Sequence, residues 1–201
     1  MNQYDDAWDK LLRIKTTGRD DSRADQYNYP YEPTSYAVLE RLAGSGFIKK
    51  NDVLLDYGCG KGRVDFFIAY QTKAKVIGIE YDERIYEKAI ANKNESVSSA
   101  KVQLVLTKAE TYDVPKEVNK CYFFNPFSVE IFGKVMSRII DSYYTNPRPI
   151  TLFFYYPSSE YIAYLMSVNE LDFIDEIDCH DISDGESARE KILIFSMGYG
   201  L

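Results

Sequence analysis

The chain has 201 residues, of which 45% are hydrophobic and 27% are charged. This is the size of one α/β domain, and it is long enough to bury a core without the help of a metal or a disulfide bond. The formal net charge of −7 repels nucleic acid phosphates, so any nucleic acid substrate would need a local basic patch, and the sequence has no long basic run.

The cysteines and the histidine do not form a metal site at any usual spacing. Cys59, Cys121 and Cys179 contain no Cys-x-x-Cys pair, and His180 is the only histidine. We therefore expect no metal and three reduced thiols, as in a cytoplasmic protein. The N-terminus lacks a basic and apolar signal pattern, and no apolar run approaches the ~18 residues of a membrane span. A membrane partner is not expected.

The first 30 residues differ in pattern from the rest of the chain. Within Tyr4–Ile14, the apolar residues Trp8, Leu11 and Leu12 share one face of an amphipathic helix. Residues 16–28 are polar and aperiodic and contain Gly18, which predicts a loop. We therefore separate residues 1–30, a helix and loop that could serve as a lid, from a main domain at residues 31–201.

Two prolines precede the next helix. Pro30 and Pro33 hold the residues before them extended, and Thr34 is predicted to cap a helix that contains Val38 and Leu39. This segment is either only the start of a helix or part of a binding site, and the pattern alone leaves both open.

A short apolar strand, Val53–Tyr57, runs into a glycine-rich turn and then into a helix. Its acid, Asp56, lies near the carboxyl end, where parallel sheets place their ligands. Gly58, Gly60 and Gly62 lack a Cβ, so the chain can turn sharply and a ligand can approach the backbone. The first N–H groups of the following helix point back at the turn. These features predict a loop that holds a nucleotide.

The spacing of the glycines separates the known kinds of nucleotide-binding loop. A P-loop needs Ser or Thr after its lysine, but Lys61 is followed by Gly62. A dinucleotide fingerprint would place its third glycine at position 63, which is Arg63. The second strand, Lys75–Glu80, ends in an acid about 20 residues past the loop, the distance expected of a carboxylate that binds a ribose.

The remaining segments alternate between helix and strand patterns. Strands are predicted at Val102–Leu106, Lys120–Phe124, Ile150–Tyr156, Leu171–Cys179 and Lys191–Ser196. The last two, joined by a polar loop, would form an antiparallel hairpin. We therefore predict an α/β three-layer sandwich, in which a seven-stranded, mostly parallel sheet with an antiparallel C-terminal hairpin carries helices on both faces.

The glycine-rich loop and its spaced acid resemble motif I and the second-strand acid of the class I, seven-stranded S-adenosylmethionine-dependent methyltransferases. The resemblance implies a Rossmann-like methyltransferase domain and S-adenosyl-L-methionine as the cofactor. It also implies that residues before the first strand cover the methionine end and that residues after the third strand contact the adenine; for Glu110, a solvated loop acid is the alternative. The cofactor-binding residues implied are Tyr31, Pro33, Thr34, Asp56, Gly58, Gly60, Gly62, Glu80, Tyr81, Ala109 and Glu110.

The turn after the fourth strand resembles a second signature. Asn125, Pro126 and Phe127 are similar to the Asp/Asn-Pro-Pro-aromatic sequence of amino-methyltransferases, in which the Asn carbonyl accepts hydrogen bonds from the target NH₂ and the aromatic ring packs on its planar carrier. The single proline departs from that signature and leaves the substrate open, and a plain strand-ending turn is the alternative. With Tyr155, at the end of the fifth strand, these residues are the catalytic candidates.

The resemblance implies transfer of a methyl group to an amine nitrogen of a protein lysine, a small amine or an RNA base. The expected partner is this methyl acceptor, and a nucleic acid is not favoured. Two alternatives stay open: a non-catalytic cofactor-binding or scaffold protein, against which the intact Asn125 turn argues, and an NAD-type oxidoreductase, against which Arg63 and the terminal strand pair argue.

Overall fold

The computed structural model describes residues 3–20, 31–182 and 187–198. The strands are β1 (Val53–Tyr57), β2 (Lys75–Glu80), β3 (Val102–Leu106), β4 (Lys120–Phe123), β5 (Ile150–Tyr155), β6 (Asp172–Asp178) and β7 (Lys191–Met197). The helices are α1 (Gln3–Leu12), α2 (Tyr36–Gly44), α3 (Arg63–Thr72), α4 (Glu83–Glu95), α5 (Val129–Thr145) and α6 (Ser159–Leu165), with single 3-10 turns at Ser99–Lys101 and Ala109–Thr111. Each predicted strand is present, and its ends lie within one residue of the prediction.

The strands form one sheet in the order β3-β2-β1-β4-β5-β7-β6. β1 pairs in parallel with β2 and β4, whereas β7 runs antiparallel to both β5 and β6. The parallel strands end at one edge of the sheet, and the strand order reverses between β1 and β4, which is where open α/β sheets bind ligands. The predicted fold class, including the antiparallel C-terminal hairpin, is confirmed.

Two hydrophobic cores, one on each face of the sheet, create the three layers. Because side chains alternate along a strand, Leu54 and Leu55 of β1 point to opposite faces. Leu54 belongs to the core that contains Phe67 of α3, and Leu55 belongs to the core that contains Phe132 of α5. Every residue of β1 is buried, as expected for a central strand covered by helices on both sides.

The N-terminal helix α1 is packed into the first core. The Trp8 ring centre lies 4.9 Å from that of Phe67 and 5.8 Å from that of Tyr36. The Asp5 carboxylate also forms an ion pair with Arg63, with 2.6 Å between Oδ2 and Nη1. The Arg63 side chain is only 2% exposed. The predicted helix is therefore present, with Trp8 and Leu12 on its packed face, but Leu11 is 51% exposed and lies off that face. Residues 21–30, the end of the segment predicted as a possible lid, lie outside the described residues.

The cap of α2 is one residue later than predicted. Ser35, not Thr34, is the N-cap residue, and its hydroxyl oxygen accepts the Val38 N–H at 3.4 Å. The Thr34 side chain is buried, and its hydroxyl lies 3.0 Å from the Tyr122 hydroxyl of β4. The prediction of Thr34 as the cap was wrong because this contact with the sheet holds its side chain away from the helix.

The described residues meet neither the requirements of a membrane-spanning helix nor those of a metal site. Within residues 3–20, 31–182 and 187–198, no helix combines the length and the apolar character that crossing a membrane requires. In the same ranges, no three histidine, cysteine or acidic residues are arranged to hold a metal ion. Cys59, Cys121 and Cys179 are all free and buried.

Candidate functional site

The loop after β1 turns at three glycines that lie at the reversal point of the sheet. Gly58, Gly60 and Gly62 have φ angles of 77°, 57° and 86°, in the left-handed region that favours glycine. The N–H groups of Gly58 and Cys59 both donate to the Ile79 carbonyl, at 3.0 and 2.9 Å. These bonds tie the loop to the neighbouring strand β2 and fix its position.

Two side chains contact the loop where glycine leaves room. A Cβ on Gly60 would lie 2.3 Å from Cε2 of Tyr31, and a Cβ on Gly58 would lie 2.9 Å from Cβ of Pro126. The ammonium of Lys61 lies 4.5 Å from the centre of the Tyr31 ring. The backbone of the loop is therefore approached closely from both sides, and the structure brings the predicted residues Tyr31, Gly58, Gly60 and Pro126 together.

Glu80, at the end of β2, faces this loop. Its Oε2 accepts the Gly60 N–H at 3.0 Å, and its Oε1 accepts the N–H groups of Tyr81 and Asp82, both at 2.9 Å. Burial raises the pKa of the Glu80 carboxyl, and the three backbone hydrogen bonds oppose that rise. Because each carboxylate oxygen can accept two hydrogen bonds, Oε2 retains capacity for a ligand hydroxyl. The position and chemistry of Glu80 fit a ribose.

Asp56 lies beneath the loop rather than facing it. It is 3% exposed and lies beside Asp65 of α3, which is fully buried. Among the described residues, Oδ2 of Asp56 and both carboxyl oxygens of Asp65 have no hydrogen-bond partner. Burial raises the pKa of both groups, that of Asp65 to about 7. Two buried carboxyl groups this close do not both ionise, so at least one holds a proton at neutral pH.

The other predicted cofactor residues lie around the same sheet edge in different environments. Tyr81 is 39% exposed beside Glu80, and Ala109 and Glu110 form a half-buried turn after β3. Thr34 is 2% exposed and its hydroxyl is engaged by Tyr122, so its side chain supports the site from inside the protein instead of forming an exposed wall.

A cavity of about 410 Å³ opens at the ends of β4 and β5. It combines charged groups, aromatic rings and two candidates from the sequence, Asn125 and Tyr155. The residues that line it are Arg19, Glu32, Pro33, Ser35, Phe124, Asn125, Tyr155, Tyr156, Ile182, Arg189 and Glu190.

Two residues beyond the ends of the strands have positive φ angles. Asn125 is two residues past the end of β4, and Tyr156 directly follows β5. Their φ angles are 44° and 51°, and a bulky residue such as tyrosine rarely adopts this region. Such conformations cost on the order of 1–3 kcal/mol each and concentrate at functional sites. Oδ1 of Asn125 is buried and has no hydrogen-bond partner among the described residues. A buried acceptor of this kind needs a donor, and no described residue supplies one.

Phe127 does not line the cavity, so its predicted role in contacting the acceptor is corrected. Its ring is 5% exposed and packs edge-on against Phe123 in the second core, while its carbonyl accepts the Tyr161 hydroxyl at 2.6 Å. The aromatic wall is formed instead by Phe124, whose ring centre lies 4.7 Å from that of Tyr155. The turn at Asn125 directs Phe124 and Phe127 to different sides of the sheet edge.

The sequence reasoning missed the charged residues of the cavity. Glu190 accepts the Tyr155 hydroxyl at 2.8 Å, and Arg189 lies 4.2 Å from the centre of the Tyr156 ring. The signal that could have found them is their place directly ahead of the last strand. Because β7 is antiparallel to β5, with Ile192 opposite Tyr155, the residues before β7 lie at the carboxyl end of β5.

Comparison with known proteins agrees with this geometry. Residues 48–138, from before β1 into α5, match a family model described as a methyltransferase domain. A protein-lysine N-methyltransferase from Saccharolobus islandicus (strain REY15A) is 38% identical over 65 residues, which are 31% of this chain and 40% of that protein. The chain therefore matches less than half of the length of this relative.

Solved structures with the same fold include two enzymes with RNA named in their descriptions. An RNA methyltransferase from Salinibacter ruber in complex with S-adenosyl-L-homocysteine is 18% identical, with a TM-score of 0.53 over 83% of this chain and 92% of that chain. An rRNA methylase from Streptococcus thermophilus is 14% identical, with a TM-score of 0.55 over 84% and 97%. These likenesses confirm the predicted Rossmann-like methyltransferase fold.

Proposed function

We infer that this chain is a class I S-adenosylmethionine-dependent methyltransferase, and we propose that it methylates an amine nitrogen. One observation carries the choice of acceptor: Oδ1 of Asn125 is buried and unpartnered among the described residues, Asn125 lines the cavity, and the next residue, Pro126, lies against Gly58 of the glycine-rich loop. An amine nitrogen offers both the N–H that this oxygen needs and the lone pair that accepts a methyl group.

The residues around the loop suit the cofactor. Glu80 would accept the ribose hydroxyls, and the backbone of Gly58, Gly60 and Gly62 would line the ribose and the methionine. When bound, S-adenosylmethionine supplies an activated methyl group on its sulfonium. The chain then has to align the acceptor, exclude water and leave the nitrogen deprotonated, and no nucleophilic side chain is required.

The contact between Pro126 and Gly58 supports a direct connection between the two halves of the site. Because Pro126 lies against the loop and Asn125 precedes it, Asn125 would lie close to a methyl donor bound at the loop. Proximity of this kind is a main source of rate enhancement when the donor is already activated.

The name of one relative, a protein-lysine N-methyltransferase, specifies a nitrogen acceptor, whereas the name of the RNA methyltransferase specifies no acceptor atom. The proposed partner of this chain is such a methyl acceptor. A cytoplasmic location is also our proposal, supported by three cysteines that are all free. The fold argues against an NAD-dependent oxidoreductase, because β7 is antiparallel to its neighbours where a dinucleotide-binding sheet is parallel.

A labelled-methyl assay tests the proposal. The full chain is incubated with methyl-labelled S-adenosylmethionine and, separately, with protein, small-molecule and RNA fractions of a cell lysate. We expect label to be transferred to nitrogen in one fraction and to survive mild base treatment, which cleaves methyl esters, while mass spectrometry of the product distinguishes N-methyl groups from methyl ethers. Transfer to a carboxylate or a hydroxyl alone would contradict the amine acceptor, and no transfer with any fraction would favour a non-catalytic protein.

A further inference from the structure

The cavity has an acidic and aromatic side to which the proposed function assigns no role. Glu190 lies there directly ahead of β7, and its Oε2 accepts the Tyr155 hydroxyl at 2.8 Å. The Phe124 ring centre lies 4.7 Å from that of Tyr155 and 6.4 Å from that of Tyr156. Three aromatic rings and a carboxylate therefore meet in one cavity.

Both arginines of the cavity are already engaged. Arg189 donates to the carbonyls of Pro157 and Tyr156, at 3.0 and 2.8 Å, and its guanidinium lies over the Tyr156 ring. The guanidinium of Arg19 lies 3.6 Å from the Glu32 carboxylate. These contacts use donors that an anionic or acceptor-rich ligand would require.

Among the described residues, two acceptor groups of the cavity have neither a cation nor a donor opposite the oxygens concerned. The Glu190 carboxylate forms no ion pair within residues 3–20, 31–182 and 187–198, and Oδ1 of Asn125 has no partner there. An alkylammonium group presents three donors and no acceptor, so it matches both oxygens. A nucleobase amino group is accompanied by ring acceptors, which these oxygens cannot satisfy. Aromatic rings beside the carboxylate also attract a cation rather than a neutral base.

We propose that this cavity binds the methyl acceptor as an alkylammonium group of the lysine side-chain type, and that Glu190 pairs with this cation and accepts its proton. The inference rests on the proposed function, because it names the acceptor of that reaction. Glu190 is then a catalytic residue, and Tyr155, which donates a hydrogen bond to Glu190, is a positioning residue.

The proton leaves the ammonium before the methyl group arrives. The N–H bond breaks, its electron pair stays on nitrogen, and the proton passes to the Glu190 carboxylate. The lone pair of the neutral amine then forms the new bond to the methyl carbon while the carbon–sulfur bond breaks with its electron pair on sulfur. Glu190 releases the proton to solvent. Burial raises the pKa of the Tyr155 hydroxyl above its usual value, so Tyr155 stays protonated and acts as a donor.

Ligand binding to the full chain, measured by titration calorimetry with and without S-adenosylhomocysteine, tests the charge requirement. The probe is Nα-acetyl-L-lysine N-methylamide, compared with its side-chain-acetylated neutral form and with adenosine. We expect the cation to bind at least ~10-fold more tightly than either neutral molecule. A further arm with 1,4-diaminobutane distinguishes a protein side chain from a free diamine as the source of the amine, and tight binding of either supports the proposal.

Substitution of Glu190 tests its role. Glu190→Gln keeps the size and an acceptor for Tyr155 but removes the charge, so we expect affinity for the lysine probe to fall about 10-fold while S-adenosylhomocysteine binds as before. Glu170→Gln is the matched control, because Glu170 accepts the Tyr144 hydroxyl at 3.1 Å in an exposed pair outside the cavity. It should change neither affinity, and thermal unfolding midpoints check the fold of each variant.

The pH profile of methyl transfer tests Tyr155. In Tyr155→Phe the carboxylate loses its donor, so the acidic limb of the profile should move, whereas a purely structural loss would lower the rate equally at every pH. The groups near Glu190 that also titrate or carry charge are Arg19, Glu32, Tyr155, Cys179 and Arg189.

Three results would overturn the inference: adenosine or the acetylated probe binding as tightly as the cation, unchanged lysine affinity in Glu190→Gln, or an unmoved pH profile in Tyr155→Phe. Failure of the proposed function has a different signature. If the wild type binds the cation but never S-adenosylhomocysteine, the methyltransferase proposal fails and the ammonium site stands. If it binds S-adenosylhomocysteine but no ammonium, only this inference fails.

Discussion

The cofactor side and the acceptor side of the site are built in different ways. The cofactor side comes from one strand–helix–strand unit, in which the loop after β1 and Glu80 at the end of β2 are joined by backbone hydrogen bonds. The acceptor side is assembled from six separate stretches of the chain, among them those around Glu32, Asn125, Tyr155 and Glu190. The geometry of the cofactor side is therefore set by residues close together in the sequence. The geometry of the acceptor side depends on how strands far apart in the sequence pair.

The two sides also differ in how their polar groups are satisfied. Glu80 accepts three backbone N–H groups, so its carboxylate is held in place before any ligand arrives. Asn125 keeps an unpartnered oxygen among the described residues, at a backbone conformation that carries strain. The cofactor side is thus largely complete in itself, and the acceptor side is completed by its ligand. Substitutions on the two sides should therefore have separable effects.

The largest effect is expected on the acceptor side. Asn125→Ala removes the oxygen that orients the amine, and methyl transfer should fall by roughly ten- to a thousand-fold, because both the alignment and the desolvation of the amine depend on it. The rate is measured with the acceptor found in the labelled-methyl assay. Asn146→Ala, at the exposed end of α5, is the control and should keep full activity. Full activity in Asn125→Ala would remove the amine-directed role of Asn125.

The next largest effect is expected on the cofactor side. Glu80→Ala should weaken S-adenosylhomocysteine binding by about ten- to a hundred-fold, because charge-assisted hydrogen bonds contribute about 1.5–3 kcal/mol. Calorimetry gives the affinity, with the exposed Glu83→Ala of α4 as the control. Binding that equals the wild type in a folded Glu80→Ala variant would leave Glu80 as a structural residue of the loop.

A smaller effect concerns the carboxyl pair beneath the loop. The pKa of Asp65 is raised to about 7 in the folded chain from its model-compound value of 3.8. Between these two values the unfolded chain has released its proton and the folded chain retains it, so the free energy of unfolding should fall as pH rises through this window and level off above it. Urea denaturation at several pH values should show a shallower decline in Asp65→Asn and an unchanged one in the exposed Asp113→Asn.

The same slope in Asp65→Asn as in the wild type would contradict a retained proton in this pair. A rise in stability with pH across the window would contradict it more strongly, because that sign requires a carboxyl whose pKa is lowered by folding.

The smallest effect on activity should come from Phe127. Phe127→Leu leaves a partly filled space in the second core and should cost about 1 kcal/mol of stability with an unchanged KM for the acceptor. Phe124→Leu removes an aromatic wall of the cavity and should raise that KM instead. Chemical denaturation and steady-state kinetics on both variants check this, and a raised KM in Phe127→Leu alone would reinstate the original prediction for Phe127.

The sequence predicted the local elements of the cofactor side better than the acceptor side. The strand Val53–Tyr57, the three glycines and Glu80 carry a local pattern, since periodicity and spacing suffice to place them. The antiparallel hairpin was predicted because two short strand patterns are joined by a polar loop. The bounds of these strands were predicted to within a residue.

The acceptor side was predicted only where a motif marks it. Asn125 has a positive φ that turns the chain, so the choice between Phe124 and Phe127 as the aromatic wall depends on a backbone angle that spacing does not reveal. Glu190 becomes part of the cavity only through the pairing of β7 with β5. Thr34 was displaced from its cap by a contact with Tyr122, on a strand far along the chain.

The central claim is that one end of this site binds the methyl-donor cofactor independently of the other end. Titration of wild type and Asn125→Ala with S-adenosylhomocysteine, and of wild type with NAD, tests it most directly. The account predicts that S-adenosylhomocysteine binds both proteins with equal affinity and that NAD gives no heat. NAD binding without S-adenosylhomocysteine binding would contradict the methyltransferase assignment, and loss of S-adenosylhomocysteine affinity in Asn125→Ala would contradict the separation of the two sides.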